Sequence, residues 1–74
     1  MDLKEKIKAL KTEISEMVTT ANRLYDELEG KGDNATADER AKLNNVIDAG
    51  MVKRDELHRL EELQSLDDAT KTAN

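Results

Sequence analysis

From Leu3 to Leu28 the apolar residues recur at alternating steps of four and three without a break: Leu3, Ile7, Leu10, Ile14, Met17, Ala21, Leu24 and Leu28. A helix gathers such a series into one narrow stripe, whereas a strand would scatter it over both faces. The stripe is too narrow for a helix surrounded by protein and suits one that meets a single partner helix. The β-branched residues Ile7, Ile14, Val18, Val46, Ile47 and Val52 also fall at helical spacing, and Tyr25 is the one aromatic. Strands are therefore excluded, and the expectation is an all-α chain.

Local signals set the helix limits. Asp2 stands where its carboxylate accepts from first-turn amides, with Glu5 three residues on, so the first helix is expected over about residues 3–29. Gly30 is expected to close it in the left-handed conformation. The Gly, Asp and Asn content of about residues 30–36 reads as a loop. Thr36 and Glu39 then form a T-x-x-E capping box, with Asp38 adding negative charge at the helix start, so a second helix is expected over about residues 37–66. Two long amphipathic helices joined by a short loop make an antiparallel hairpin, a short coiled coil able to associate further into a bundle. Residues 67–74 lose the apolar period and read as a polar flexible tail or linker, leaving residues 1–66 as the hairpin.

Pairing apolar residues across the hairpin sets Leu28 against Leu43, Leu24 against Ile47, Ala21 against Gly50, Ile14 against Leu57, Leu10 against Leu60, Ile7 against Leu63 and Leu3 near Leu66. The middle of this seam is weak, with Ala21 opposite Gly50 and with Met17 near Lys53 and Arg54. Gly50 is either a point of close backbone approach, which the small Ala21 opposite favours, or a flexible point. Val18, Tyr25, Met51 and Val52 do not fit the seam and form a possible partner surface. A 74-residue hairpin with one seam is marginal alone, so association with other copies or with a partner is expected.

Several function classes are excluded at this level. There is no cysteine, and His58 has no second histidine for company, so no metal site and no cofactor are expected. A hairpin of two helices has no concavity in which to desolvate a nucleophile or a carboxylate pair, so the chain is not expected to be an enzyme. Charged residues make up 39% of the chain, but acids and bases interleave as a solvated face. The net charge of −5 and the lack of stacking aromatics beside Lys4, Lys6, Lys8 and Lys11 argue against nucleic acid. The charged start Met1-Asp2-Leu3-Lys4-Glu5-Lys6 is not a signal peptide, and no apolar run reaches membrane length, so no membrane partner is expected.

The second half, Ala35-Thr36-Ala37-Asp38-Glu39-Arg40-Ala41-Lys42-Leu43, then Val46-Ile47-Asp48 and Leu57-His58-Arg59-Leu60-Glu61, follows a lysine-rich helix and a Gly-containing loop. Over residues 1–66 this arrangement resembles the N-terminal segment of major capsid proteins of tailed bacteriophages with the Johnson-type capsid fold. Thr36 and Glu39 match the cap of that family, and Leu43, Val46, Ile47, Leu57 and Leu60 match its apolar positions. Gly50 and Lys53 depart from it, since the family places larger apolar residues there. The resemblance implies a delta domain, an internal scaffolding element that guides subunits into a procapsid inside the host cytoplasm and is removed by a maturation protease. Its partners would be other copies of itself or of capsid subunits. The alternative is a free-standing helical-hairpin dimer acting as a regulatory RNA- or protein-binding module.

Overall fold

A computed structural model describes residues 2–72. The chain is an all-α helical hairpin: α1 spans Leu3–Lys31, a single 3-10 turn covers Gly32–Asn34, and α2 spans Ala37–Thr72. The result is a rod of 62 × 17 × 14 Å. Its accessible surface of 5803 Å² exceeds the roughly 4,600 Å² of a compact monomer of this mass. Two long helices in contact along one stripe leave most of each cylinder in water.

Both caps form from the residues that signal them. The Asp2 carboxylate accepts from the Glu5 amide at 2.8 Å. At the second helix the Glu39 amide donates to Thr36 Oγ1 and the Thr36 amide donates to Glu39 Oε1, each at 3.1 Å, so each residue satisfies the other's free N–H. Glu39 has a third partner, the Lys31 ammonium at the end of α1, which ties the two helices together beside the turn.

The turn differs from the sequence expectation by two residues. Gly30 is helical, α1 continues through Lys31, and Gly32 is the residue with positive φ, at 56°. The Gly32 amide bonds back to the Leu28 carbonyl, and Ala35 leaves the turn in an extended conformation that delivers Thr36 as a cap. The reversal is therefore centred on Asp33 and Asn34.

This centre fixes the register. Lys6 pairs with Glu56 at 3.8 Å and Lys11 with Glu61 at 3.7 Å. Lys6 precedes Ile7 and Lys11 follows Leu10, so the two bridges lie on opposite flanks and enclose a box of Ile7, Leu10, Leu57 and Leu60. Among the described residues Ile7 and Leu10 are the buried ones, at 6% and 1% exposure. From this box toward the turn, the half-buried residues of α2 include the row Leu57, Lys53, Gly50, Val46 and Leu43, again stepping by four and three, with Glu56 and Glu39 half-buried beside it. Leu10 thus lies level with Leu57, Ile14 with Lys53, Met17 with Gly50, Ala21 with Val46, and Leu24 with Leu43.

The apolar pairing expected from sequence is one helical turn out of step with this. Ile47 and Leu63, expected in the seam, are 44% and 51% exposed, and Leu66 is 68% exposed; Val46, Lys53 and Gln64 face α1 instead. The physical reason lies at the turn, because moving α2 to the apolar-matched register would unwind its first turn and break the Thr36–Glu39 box. Lys53 is accommodated by laying its stem along the seam while its ammonium reaches Glu13 at 3.5 Å.

The end of α2 also differs from expectation. The helix does not stop at Leu66 but runs to Thr72, held by an Asp67–Lys71 pair at 3.0 Å and by the Thr70 hydroxyl donating to the Leu66 carbonyl. Because Gln64 is level with Leu3, the last eight residues, about 12 Å, extend beyond α1. Ala73 and Asn74, also part of the expected tail, lie outside the described residues.

Gly50 is not a point of close approach, since a Cβ built there meets nothing within 4 Å. Gly50→Ala should therefore stabilise the hairpin by about 1 kcal/mol through helix propensity alone. In thermal unfolding followed by circular dichroism this is a rise of roughly 4–8 °C; a fall would restore the close-approach reading.

A pH prediction follows from the turn. The Lys31 ammonium, followed by the Thr36 amide, pulls the Glu39 carboxyl down from 4.5 to about 2. A depressed carboxyl stabilises the fold above its unfolded value, and the contribution is lost as pH falls from about 4.5 through about 2. The stability gap between the wild type and Glu39→Gln, measured by urea denaturation, should shrink across that window and stay constant above it.

Candidate association surface

The two flanks of the seam differ in chemistry. One flank carries Lys6, Glu13 and Glu27 from α1 and Glu39, Lys42 and Glu56 from α2. Its main concavity, near the turn, is rimmed by Arg23, Glu27, Glu39 and Lys42, with Arg23 paired to Glu27 at 3.1 Å. Opposite charges alternate here and satisfy one another.

The other flank is apolar along its middle. Heptad geometry brings the residue after each d position of α1 to this side, namely Val18 and Tyr25, and the corresponding residue of α2 is Ile47, with Met51 one turn further on. Their exposures are 52%, 53%, 44% and 47%. Val18, Ile47 and Met51 line a shallow groove of about 260 Å³ with Ile14, Met17, Ala21, Val46 and Gly50, rimmed by Asn22 and Arg54. The groove exists because Ala21 and Gly50 leave space in the seam, so the helices' outer apolar residues look down into a half-filled core.

Tyr25 continues this stripe toward the turn, where it shares a second hollow with Glu29 and Arg40. The Glu29 carboxylate, through its charge and a hydrogen bond, holds the Tyr25 phenol above its usual pKa of 10.0.

Of the residues expected on a partner surface, Val18 and Met51 line the groove, while Tyr25 lies on the same flank in the hollow nearer the turn. Val52, at 65% exposure, projects from the outer side of α2, next to the opposite flank, and is no part of the groove. Ile47 belongs to this surface and not to the seam; the sequence signal for it was the position of the turn, which assigns Val46 inward and Ile47 outward. His58 lies exposed and within 2.9 Å of Glu62 on its own helix. Among the described residues no cluster of His, Cys, Asp and Glu is placed to hold a metal ion, and no helix is long and apolar enough to cross a membrane.

No family model, no curated protein and no solved structure matches this chain.

The register gives a direct mutational contrast between adjacent residues. Val46→Ala should destabilise the hairpin by about 1 kcal/mol, from two partly buried methyl groups. Ile47→Ala at dilute concentration should fall within about 0.5 kcal/mol of the wild type, as for other exposed positions. Chemical denaturation at low micromolar protein distinguishes these, and the reverse order would favour the apolar-matched register.

Proposed function

We propose that this hairpin is an assembly module: it works by lateral contact with other subunits and carries out no chemistry of its own. The observation that carries the reading is the open apolar middle, where Val18, Ile47 and Met51 stand exposed around a gap left by Ala21 and Gly50, and Tyr25 continues the exposed stripe toward the turn. A hairpin selected to be stable alone would fill position 50 with Leu or Ile and place polar residues outside it. Here the apolar residues are outside and the seam is left half filled, an arrangement that favours completion by a neighbour.

The form of assembly follows from the resemblance of residues 1–66 to capsid-protein N-terminal segments. In this proposal the hairpin is the scaffolding domain of a phage major capsid protein, acting inside the procapsid in the host cytoplasm before a maturation protease removes it. Contacts that are individually weak suit that task, because misplaced subunits must be able to leave, while many copies held together raise the effective concentration of each contact. The exposed cross-helix ion pairs fit as well, since they orient the helices while adding little to stability.

Deleting residues 1–66 from the capsid subunit that carries them should abolish or severely reduce closed procapsids, as counted by electron microscopy of cell lysates. Normal numbers of closed shells would remove the scaffolding reading.

A further inference from the structure

We propose that the occupant of the apolar flank is a second copy of this chain, packed face to face with its rod parallel to the first, so that α1 of each copy lies over α2 of the other. The proposal deepens the assembly reading, on which it rests, by naming the partner and the orientation.

Area is the first argument. The broad face of the rod, 62 by 17 Å, amounts to about 1,000 Å², and a standard stable interface takes about 800 Å² from each partner. Covering one such face would remove most of the excess over the roughly 4,600 Å² expected of a compact chain. Two hairpins joined in this way make a four-helix bundle, the architecture in which a pair of amphipathic hairpins closes its core.

Charge gives the orientation. Arg40 and Arg54 lie seven residues either side of Ile47, the centre of the apolar stretch on α2. An antiparallel pairing centred there would set α2 on α2 and bring Arg40 against Arg54 of the other copy, like charge on like. Parallel pairing sets α1 on α2 at the same level. Val18 then meets Ile47 and Met51 of the second copy, and at the turn end Glu29 meets its Arg40. Arg54 comes near the level of Lys11 of the second copy, but each is paired within its own chain, to Asp55 and to Glu61, so the apolar middle and the turn end of the face are self-complementary, as a two-fold interface requires.

The test is sedimentation equilibrium of the full chain from about 10 µM to about 1 mM, a range that spans weak and moderate self-association. The expected result is a rise from 8.3 kDa toward twice that mass. Ile47→Lys places an unpaired charge at the centre of the interface and should move the transition to at least about tenfold higher concentration; Val52→Lys, on the outer side of α2, should leave it in place. If Ile47→Lys lowers the helical circular dichroism of the dilute chain, Met51→Lys serves in its stead. Arg40→Glu should weaken pairing, and adding Glu29→Arg should restore it. A chain that stays at 8.3 kDa throughout, or a dimer sensitive to Val52→Lys and indifferent to Ile47→Lys, would overturn the proposal, and stronger pairing on Arg40→Glu would overturn the parallel arrangement. Failure here is separable from failure of the assembly reading: a monomeric chain whose deletion still blocks procapsid formation removes self-pairing only, and a dimer whose deletion leaves shells intact removes scaffolding only.

Discussion

The box formed by Ile7, Leu10, Leu57 and Leu60 is the contact on which the rest of the hairpin depends, since it holds the two buried residues among those described. Lys6–Glu56 and Lys11–Glu61 close its two flanks and mark the level at which the helices meet. From this box the seam runs toward the turn through progressively smaller or more polar residues: Lys53 opposite Ile14, Gly50 opposite Met17, Val46 opposite Ala21. Burial in a two-helix structure is limited to one stripe, so each small residue in that stripe is a loss no other layer recovers. The fold is consequently firm at the open end, tied by Lys31–Glu39 at the turn, and thin between.

The thin middle and the apolar flank are one feature seen from two sides. Because Ala21 and Gly50 leave space, Val18, Ile47 and Met51 line a groove instead of standing on a convex surface. An added layer placed there would contact both the outer residues and the interior ones beneath them. The turn decides this arrangement at a distance, for it is the Thr36–Glu39 box that holds α2 in the register with Ile47 outside. A loop cap and an exposed apolar groove roughly 15 Å away are thus linked through helix register alone.

The sequence made the body of α1 legible because its apolar stripe has no competitor. Both caps were legible as well, since each depends on residues three apart and needs no tertiary information. α2 was harder, as it carries two overlapping apolar rows, one through Leu43, Val46, Gly50, Leu57 and Leu60 and another through Ile47, Met51 and Leu63. Matching apolar residues across the hairpin takes Leu43, Gly50, Leu57 and Leu60 from the first row but Ile47 and Leu63 from the second, whereas chain geometry at Gly32–Asn34 keeps to the first. The assignment of the closing glycine failed for a related reason, because Gly30 and Gly32 are equivalent in composition and differ only in where α1 runs out. Past Leu66 the loss of apolar period marks the end of the partner helix, not the end of α2, which the Asp67–Lys71 pair continues. Val18, Tyr25 and Met51 were recognisable as outliers from the seam, but their union with Ile47 required the register.

The central claim is that this hairpin is incomplete as a single copy and gains stability when its apolar flank is covered by another. Stability that comes from association depends on protein concentration, whereas that of a self-sufficient monomer does not. The most direct measurement is the midpoint of thermal unfolding of the full chain at concentrations from about 5 µM to about 500 µM, where mass action on a covering copy acts on the folded state alone. The account predicts a midpoint that climbs steadily over this range. A midpoint independent of concentration would contradict it.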